Sequence, residues 1–186
     1  MIDKSGQPNS NALIALKQSE AASRARGKLK IFLGYAAGVG KTYAMLEAAR
    51  ALVADRVDVV IAWIETHKHA ETESLLAALE IMPRKQVEYL GRLVAEMDVD
   101  GALARKPQLA VVDELAHTNA PGSRHPKRYL DVEELLRAGI DVYTTLNVQD
   151  LESLKDVVAQ ITGVIVQGTL PDRVIDEANE IELIDL

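Results

Sequence analysis

The sequence contains no cysteine, few aromatic residues and no long apolar segment. Without cysteine, disulfide bonds and thiolate metal sites are excluded. Phe, Trp and Tyr together make up 4% of the 186 residues, so the core must be built from aliphatic side chains. The longest apolar runs, such as residues 59–64, fall far short of the roughly 18–20 residues that a membrane-spanning helix needs. We therefore expect a protein that works in water, most simply in the cytoplasm, with no membrane contact by this segment.

An excess of basic residues is also absent. The chain has 21 Lys and Arg against 28 Asp and Glu, which gives a net charge of −7. A nonspecific nucleic-acid binder depends on Lys and Arg that neutralise phosphates, so nucleic acid is not an expected partner. The length suits one compact domain with a substantial buried core.

Short apolar runs alternate with helical patterns from residue 28 onwards. Residues 1–27 are rich in Ser, Asn, Gln and Ala, and we predict a flexible tail there. The predicted strands are residues 29–34, 58–64, 87–90, 109–112, 140–145, 163–166 and 181–184. The predicted helices are residues 42–54, 70–80, 93–105, 131–138 and 151–160. Strands separated by helices at this spacing indicate an α/β fold of three layers, with a mainly parallel sheet covered by helices on both faces.

A phosphate-binding pattern follows the first predicted strand. A glycine-rich turn leads into Lys41-Thr42 at the start of a helix. The glycines let the backbone curl so that its N–H groups point at phosphate oxygens, and the helix N-terminus adds partial positive charge. Lys41 can reach the β- and γ-phosphates, and the Thr42 hydroxyl can bind Mg²⁺. The residues expected to bind a nucleotide are Gly38, Val39, Gly40, Lys41, Thr42 and Tyr43.

The first half of this loop departs from the usual spacing. Gly-x-x-x-x-Gly-Lys-Ser/Thr asks for glycine at position 35, where this sequence has Tyr35, and Gly34 stands one residue early. The interpretation therefore rests on residues 38–42, and the alternative is a glycine-rich turn that binds nothing. On the first interpretation, residues 28–186 form a P-loop nucleotide-binding domain with a P-loop NTPase-like fold.

Two carboxylates follow a buried strand later in the chain. The strand at 109–112 ends at Asp113, which in a phosphate-loop protein holds Mg²⁺ through a water molecule. Glu114 is then a candidate catalytic residue that orients an attacking water, although it equally fits a residue that only solvates the loop.

Polar residues at other predicted strand ends are weaker candidates. The basic loop at 117–128 could sense the γ-phosphate and reorder, with Arg124 or Arg128 stabilising charge on the phosphate. The alternative is a solvated basic loop without such a role. Asn147 could contact the nucleotide or the attacking water, or cap the next helix. Glu65-Thr66-His67, after the second strand, could contact the nucleotide or Mg²⁺, but a role in capping the next helix is favoured.

Several longer motifs resemble one family. They are GVGKTYAML at 38–46, ETH at 65–67, VDELAHTNAPGSRHPKR at 112–128 and AGIDVYTTLNVQDLESLKDVV at 138–158. From about Gly27 to its end, the chain resembles the N-terminal cytoplasmic domain of KdpD-type osmosensitive potassium sensor histidine kinases. Family members usually have a small residue in place of Tyr35 and His in place of Asp150.

The resemblance implies a regulatory function. Members are bacterial membrane-bound kinases of two-component systems that control expression of a high-affinity potassium-uptake ATPase. Their N-terminal domain binds ATP and adjusts the balance of kinase and phosphatase activities. The resemblance thus implies ATP and Mg²⁺ as cofactors and, as partners, the remaining domains of a sensor kinase or a partner kinase.

The histidines limit what the chain can catalyse. His67, His69, His117 and His125 all lack the setting of a phospho-accepting His-Glu on a dimerising helix. We therefore expect that the residues of this chain do not carry out the phosphotransfer and that they hydrolyse ATP slowly at most. The alternatives are a stand-alone P-loop NTPase or small-molecule kinase, and an interaction domain with a vestigial loop.

Overall fold

The computed structural model describes residues 26–65, 70–154, 160 and 169–185. They form a six-stranded sheet, in which every described strand pair is parallel, and a separate two-stranded antiparallel hairpin. The strands are β1 (Leu29–Gly34), β2 (Val59–Trp63), β3 (Glu80–Ile81), β4 (Lys85–Tyr89), β5 (Arg92–Glu96), β6 (Leu109–Val112), β7 (Asp141–Asn147) and β8 (Glu180–Ile184). The helices are α1 (Lys41–Ala54), α2 (Ala70–Leu76), α3 (Val99–Arg105), α4 (Arg128–Arg137) and α5 (Arg173–Asp176), with 3₁₀ turns at Val148–Asp150 and Glu152–Leu154.

The strand order places the ends of β1, β7 and β6 side by side. The order is β3-β2-β6-β7-β1-β8, so β7 lies between β1 and β6. Gly34 at the end of β1 is level with Asn147, and Val112 at the end of β6 is level with Thr144. Because all three strands are parallel, the loops that follow them meet at one edge of the sheet.

Apolar side chains cover both faces of the sheet. On β1, the neighbours Ile31 and Phe32 are both fully buried and belong to different core clusters, as alternation along a strand requires. The cluster with Phe32 includes Met45, Leu46 and Ala49 of α1. The cluster with Ile31 includes Val99 and Ala102 of α3 and Val132, Leu135 and Leu136 of α4. The predicted α/β fold, with helices on both faces of a mainly parallel sheet, is confirmed.

The predicted helix over residues 93–105 is wrong in its first part. Residues 92–96 form β5, which pairs with β4 outside the main sheet. Leu90 and Gly91 form the turn between them, with φ of +51° and +73°, the left-handed geometry of a two-residue hairpin turn. The helix itself begins at Val99, after Asp98 accepts a 3.1 Å hydrogen bond from the Gly101 N–H as its N-cap.

Other predicted boundaries shift by a few residues. The helix predicted at 70–80 ends at Leu76, and the short strand β3 follows it. The helix predicted at 131–138 begins at Arg128. The predicted strand at 163–166 lies outside the described residues, as do residues 155–159 of the predicted helix at 151–160. Near the start of that predicted helix, Glu152–Leu154 form a 3₁₀ turn.

None of the helices in the described ranges could span a membrane. The longest, α1, has 14 residues, and no helix there is both long and apolar enough.

Residues just before β1 contact the end of α4. Residues 1–25 of the predicted tail lie outside the described residues, but Arg26 and Gly27 are described. The Gly27 N–H donates a 2.8 Å hydrogen bond to the Leu136 carbonyl. A Cβ atom added to Gly27 would lie 2.0 Å from the Ile140 carbonyl oxygen, which is a clash with backbone. Only glycine fits this close approach without a backbone shift.

We therefore predict that Gly27→Ala lowers the free energy of unfolding by about 1–3 kcal/mol, the usual cost of overpacking. Urea denaturation followed by circular dichroism would measure it. Arg26→Ala is the matched control, because it removes only an exposed ion pair with Glu177 and should cost less than about 1 kcal/mol. Equal losses in the two variants would contradict the steric argument.

Candidate functional site

An open pocket of about 160 Å³ lies at the edge of the sheet where β1, β6 and β7 end. A volume of this size has room for on the order of ten water-sized groups. Four residues of its lining come from the loop after β1 and the start of α1, and the others follow β6 or lie at and after the end of β7. The described residues that line it are Ala37, Gly38, Lys41, Thr42, Asp113, Glu114, Leu115, Ala116, Thr145, Leu146, Asn147 and Asp150.

Glycines shape the loop between β1 and α1. Gly38 and Gly40 have φ of +86° and +90°, in the left-handed region that glycine adopts without a steric cost. Gly40 is the N-cap residue of α1, and its carbonyl accepts the first helical hydrogen bond from Ala44, at 2.9 Å. The loop therefore delivers the chain directly into the N-terminus of a 14-residue helix.

Gly34 has a steric role that the consensus spacing did not indicate. A Cβ atom at this position would lie 2.6 Å from Val39 Cγ2 and 2.9 Å from Lys41 Cγ and Cδ. The loop folds back over Gly34, so a side chain there would force its neighbours to move. Tyr35, by contrast, is 73% exposed, and the consensus position for glycine tolerates its side chain.

The Lys41 side chain is held inside the pocket. It is 8% exposed, and Nζ donates a 2.7 Å hydrogen bond to the Ala36 carbonyl of the same loop. Burial lowers the pKa of Lys41, and the negative charges of Asp113, Asp150 and Glu114 oppose that effect. A buried ammonium group bound to a neutral carbonyl can exchange that partner for an anion and gain electrostatic energy.

Thr42 and Asp113 form an oxygen pair beside Lys41. The Thr42 hydroxyl lies 3.3 Å from each carboxylate oxygen of Asp113, which also accepts hydrogen bonds from the Thr145 hydroxyl and the Glu65 N–H. Asp113 is 2% exposed, and burial raises its pKa while these hydrogen bonds oppose the increase. The oxygen atoms of a hydroxyl and a carboxylate that lie in contact are suitable ligands for Mg²⁺, which also keeps several water ligands.

The described carboxylates and histidines do not form a complete metal site. In the described ranges, no group of three or more His, Asp or Glu side chains forms a metal cage. An ion at Thr42 and Asp113 would therefore need water or ligand oxygens to complete its coordination shell.

Glu114 has a strained backbone. Its φ is +59°, which is uncommon for a residue other than glycine and costs on the order of 1–3 kcal/mol. Its N–H donates to Asp113 Oδ1 at 3.2 Å and to Thr145 Oγ1 at 3.0 Å. Partial desolvation and the charge of Asp113 raise the pKa of Glu114, and Arg128 opposes them. Strain of this kind is often found at functional sites, and here it places a carboxylate on the pocket wall.

Asn147 has a free acceptor in the pocket. Its Nδ2 donates a 2.8 Å hydrogen bond to Asp150 Oδ2, but its Oδ1 is buried without a partner in the described part of the chain. A buried acceptor without a donor costs free energy. This oxygen would therefore favour a ligand or water that brings a hydrogen-bond donor.

Several predicted site residues lie elsewhere. The Arg124 guanidinium pairs with Asp100 and Glu134, and Arg124 is not among the described residues of the pocket lining. Nor are Val39, which lies against Gly34, and Tyr43, which is 39% exposed on α1. The contacts predicted for these three side chains stay predictions.

The segment after β2 is only partly described. The Glu65 N–H contacts Asp113 Oδ2 at 3.4 Å, whereas Thr66 and His67 lie outside the described residues.

The structure also shows a buried ion pair behind the pocket that sequence reasoning missed. Arg128 is fully buried, and its Nη2 lies 3.1 Å from Glu96 Oε2. Its Cζ lies 4.4 Å from the ring centroid of Trp63. Glu96 fell inside a predicted helix, and nothing in the local pattern indicates a partner 32 residues away.

Comparison with known proteins identifies the family. The family model described as "KdpD: Osmosensitive K+ channel His kinase sensor domain" matches residues 25–186. The chain belongs to the KdpD sensor-domain family. It is 54% identical to sensor protein KdpD of Escherichia coli over 90% of this chain, and 54% identical to that of Clostridium acetobutylicum over 97%. Sensor protein KdpD of Mycobacterium tuberculosis is 50% identical over 87% of this chain.

These relatives are much longer than this chain. The matched regions cover 19% of the Escherichia coli protein, 20% of the Clostridium protein and 19% of the Mycobacterium protein. The family resemblance drawn from the motifs is confirmed, and the chain spans about a fifth of the length of these relatives.

A second buried acid lies in the first turn of α4. Asp131 is 2% exposed and accepts a 2.6 Å hydrogen bond from Asn119 Nδ2 through one carboxylate oxygen. Its other oxygen is buried without a partner in the described residues. Burial raises the pKa of Asp131 to about 6, and the hydrogen bond from Asn119 opposes the increase.

We predict a pH-dependent difference in stability between the wild-type domain and Asp131→Asn. The folded domain keeps a proton on Asp131 up to about pH 6, whereas the unfolded chain releases it near the ordinary carboxyl pKa of 3.8. This contribution to stability is therefore lost as the pH rises through that interval. Between about pH 4.5 and 7.5, the wild type should lose about 2 kcal/mol relative to the variant.

Urea denaturation of both proteins at several pH values would test this. Taking the difference cancels the groups that titrate alike in both proteins. A difference that does not change with pH would contradict the raised pKa of Asp131.

Proposed function

We propose that this chain is an ATP-binding regulatory domain of a two-component potassium and osmotic sensor histidine kinase. Bound nucleotide would tune the balance of kinase and phosphatase activities, and so the expression of a potassium-uptake ATPase. The observation that carries the proposal is the convergence of Lys41, Thr42 and Asp113 in one pocket, beneath a loop with left-handed glycines.

The loop and α1 fit a triphosphate. The N-terminal turn of α1 has backbone N–H groups without helical partners and a partial positive charge. Lys41 adds a full charge that is already buried and oriented. An anion bound there would be recognised by backbone donors at the glycine-rich turn and by one ammonium group, as in a P-loop NTPase-like fold.

The residues near Lys41 also fit Mg²⁺. The Thr42 hydroxyl is the group that binds the ion directly in such sites, and the buried Asp113 carboxylate would hold one of its waters. Mg²⁺ would neutralise phosphate charge in a pocket that also contains Glu114 and Asp150.

The names of the relatives support a regulatory output. The chain matches about a fifth of the full-length relatives, which are named as sensor proteins. Its partners would then be the remaining domains of such a sensor kinase, or a separate partner kinase. A nucleotide can control such a partner by favouring one of two states of a loop next to its phosphates.

The alternative is a stand-alone P-loop NTPase or small-molecule kinase. The strained Glu114 favours it, because a carboxylate on the pocket wall could orient a water for attack on a phosphate. On our proposal the same residue supports at most slow hydrolysis.

The binding step predicts a large ligand-induced stabilisation. ATP with Mg²⁺ at ~100 times its dissociation constant should raise the free energy of unfolding by about 2.7 kcal/mol, and Lys41→Ala should abolish the gain. Denaturation with and without nucleotide measures this. Lys28→Ala removes an equal charge from an exposed position and should keep the gain. No shift at millimolar ATP in the unchanged protein would contradict the proposal.

Hydrolysis separates the regulatory function from the enzymatic one. Glu114→Gln should leave the dissociation constant of ATP nearly unchanged and slow any hydrolysis by about 10²–10⁴-fold, because the general base is lost. Phosphate release and isothermal titration calorimetry measure the two effects. The exposed Glu88→Gln serves as control. Steady turnover above about 1 s⁻¹ in the wild type would favour an enzyme over a switch.

A further inference from the structure

The peptide group between Asp113 and Glu114 is held from both sides. Its carbonyl oxygen, on Asp113, accepts a 3.4 Å hydrogen bond from Arg128 Nη1. Its N–H, on Glu114, donates to Thr145 Oγ1 at 3.0 Å and to Asp113 Oδ1 at 3.2 Å. The oxygen and the N–H belong to one rigid plane. These contacts therefore fix the orientation of the peptide next to the strained φ of Glu114.

The Arg128 side chain is held in place by its own contacts, so it can support the Asp113 carbonyl. Its side chain is fully buried, its Nη2 pairs with Glu96 Oε2 at 3.1 Å, and its Cζ lies 4.4 Å from the Trp63 ring centroid. Its own N–H donates to the His117 carbonyl at 3.1 Å. A buried guanidinium keeps such partners because their loss would leave an uncompensated charge.

Glu96 extends the support to the loop that follows Glu114. Its Oε1 accepts a 2.7 Å hydrogen bond from the Ala120 N–H and lies 3.3 Å from His117 Nε2. Through Glu96 and Arg128, the end of β5 and this loop are tied to the Asp113 carbonyl.

We propose that Arg128 is a positioning residue that holds Glu114 in its left-handed conformation through the Asp113 carbonyl, with the Glu114 carboxylate on the pocket wall. Arg128 thus acts on the backbone and does not contact a phosphate. The consequence for nucleotide chemistry rests on the proposed function, but the backbone support can be tested without nucleotide.

A double-mutant cycle tests the support. Glycine adopts a φ of +59° without strain, so Glu114→Gly should lower the unfolding equilibrium constant of the wild type by at least about fivefold. In Arg128→Lys the peptide is no longer held and Glu114 can relax, so the same substitution should change the constant by less than about twofold. Equal gains in both backgrounds would overturn the proposal.

Two further backgrounds guard the interpretation. If Arg128→Lys does not fold, Glu96→Gln replaces it. This change retains Arg128 but removes the negative charge that its guanidinium pairs with, so it should reduce the gain in stability from Glu114→Gly. Arg124→Lys is the matched control on the loop that leads into α4, since Arg124 pairs with Asp100 and Glu134 instead. In the Arg124→Lys variant, Glu114→Gly should give the full gain in stability. A reduced gain there would overturn the proposal, because the coupling would not be specific to Arg128.

The rate of ATP hydrolysis is a second readout, which would not change if Arg128 had only a structural role. Arg128→Lys should bind ATP and Mg²⁺ within about threefold of the wild type and slow hydrolysis as Glu114→Gln does, and combining the two should slow it no further. Loss of ATP binding in the single variant Arg128→Lys would overturn the proposal. If the unchanged domain binds no ATP, the proposed function fails, and the cycle alone decides the role of Arg128.

Discussion

The pocket depends on the parallel alignment of β1, β7 and β6. Parallel neighbours send their carboxyl ends to one edge, and here that edge receives Lys41, Asp113 and Asn147. The register is equally important, because side chains alternate between faces along a strand. A slip of β7 by one residue would turn Thr145 away from Asp113, and the buried carboxylate would lose one of its two hydroxyl donors.

Much of the site could be predicted because its residues follow strands that the sequence marks clearly. Short runs rich in apolar residues located β1, β6 and β7, and the parallel fold implied that the residues after them would meet. The sequence predicted that the backbone would curl at the glycines before Lys41, and Gly38 and Gly40 have left-handed φ angles. These signals are local in sequence, so they can be recognised from the pattern of neighbouring residues.

The parts that were missed depend on contacts between distant residues. Glu96 and Arg128 are 32 residues apart, and the sequence placed Glu96 in a predicted helix and Arg128 in the basic loop at 117–128. The hairpin turn at Leu90-Gly91 lacks the Asn-Gly or Asp-Gly pair that signals such turns, so β5 was taken for helix. The ion pairs of Arg124 with Asp100 and Glu134 also join distant residues, and its predicted phosphate contact stays a prediction.

Trp63 gives the domain an internal optical probe. It is the only tryptophan in the chain, it is 5% exposed, and its ring contacts the guanidinium groups of Arg84 and Arg128. Indole emission responds to charges near the ring and to water. Any movement of Arg128 would therefore change the intrinsic fluorescence of the protein, without a label and without background from a second tryptophan.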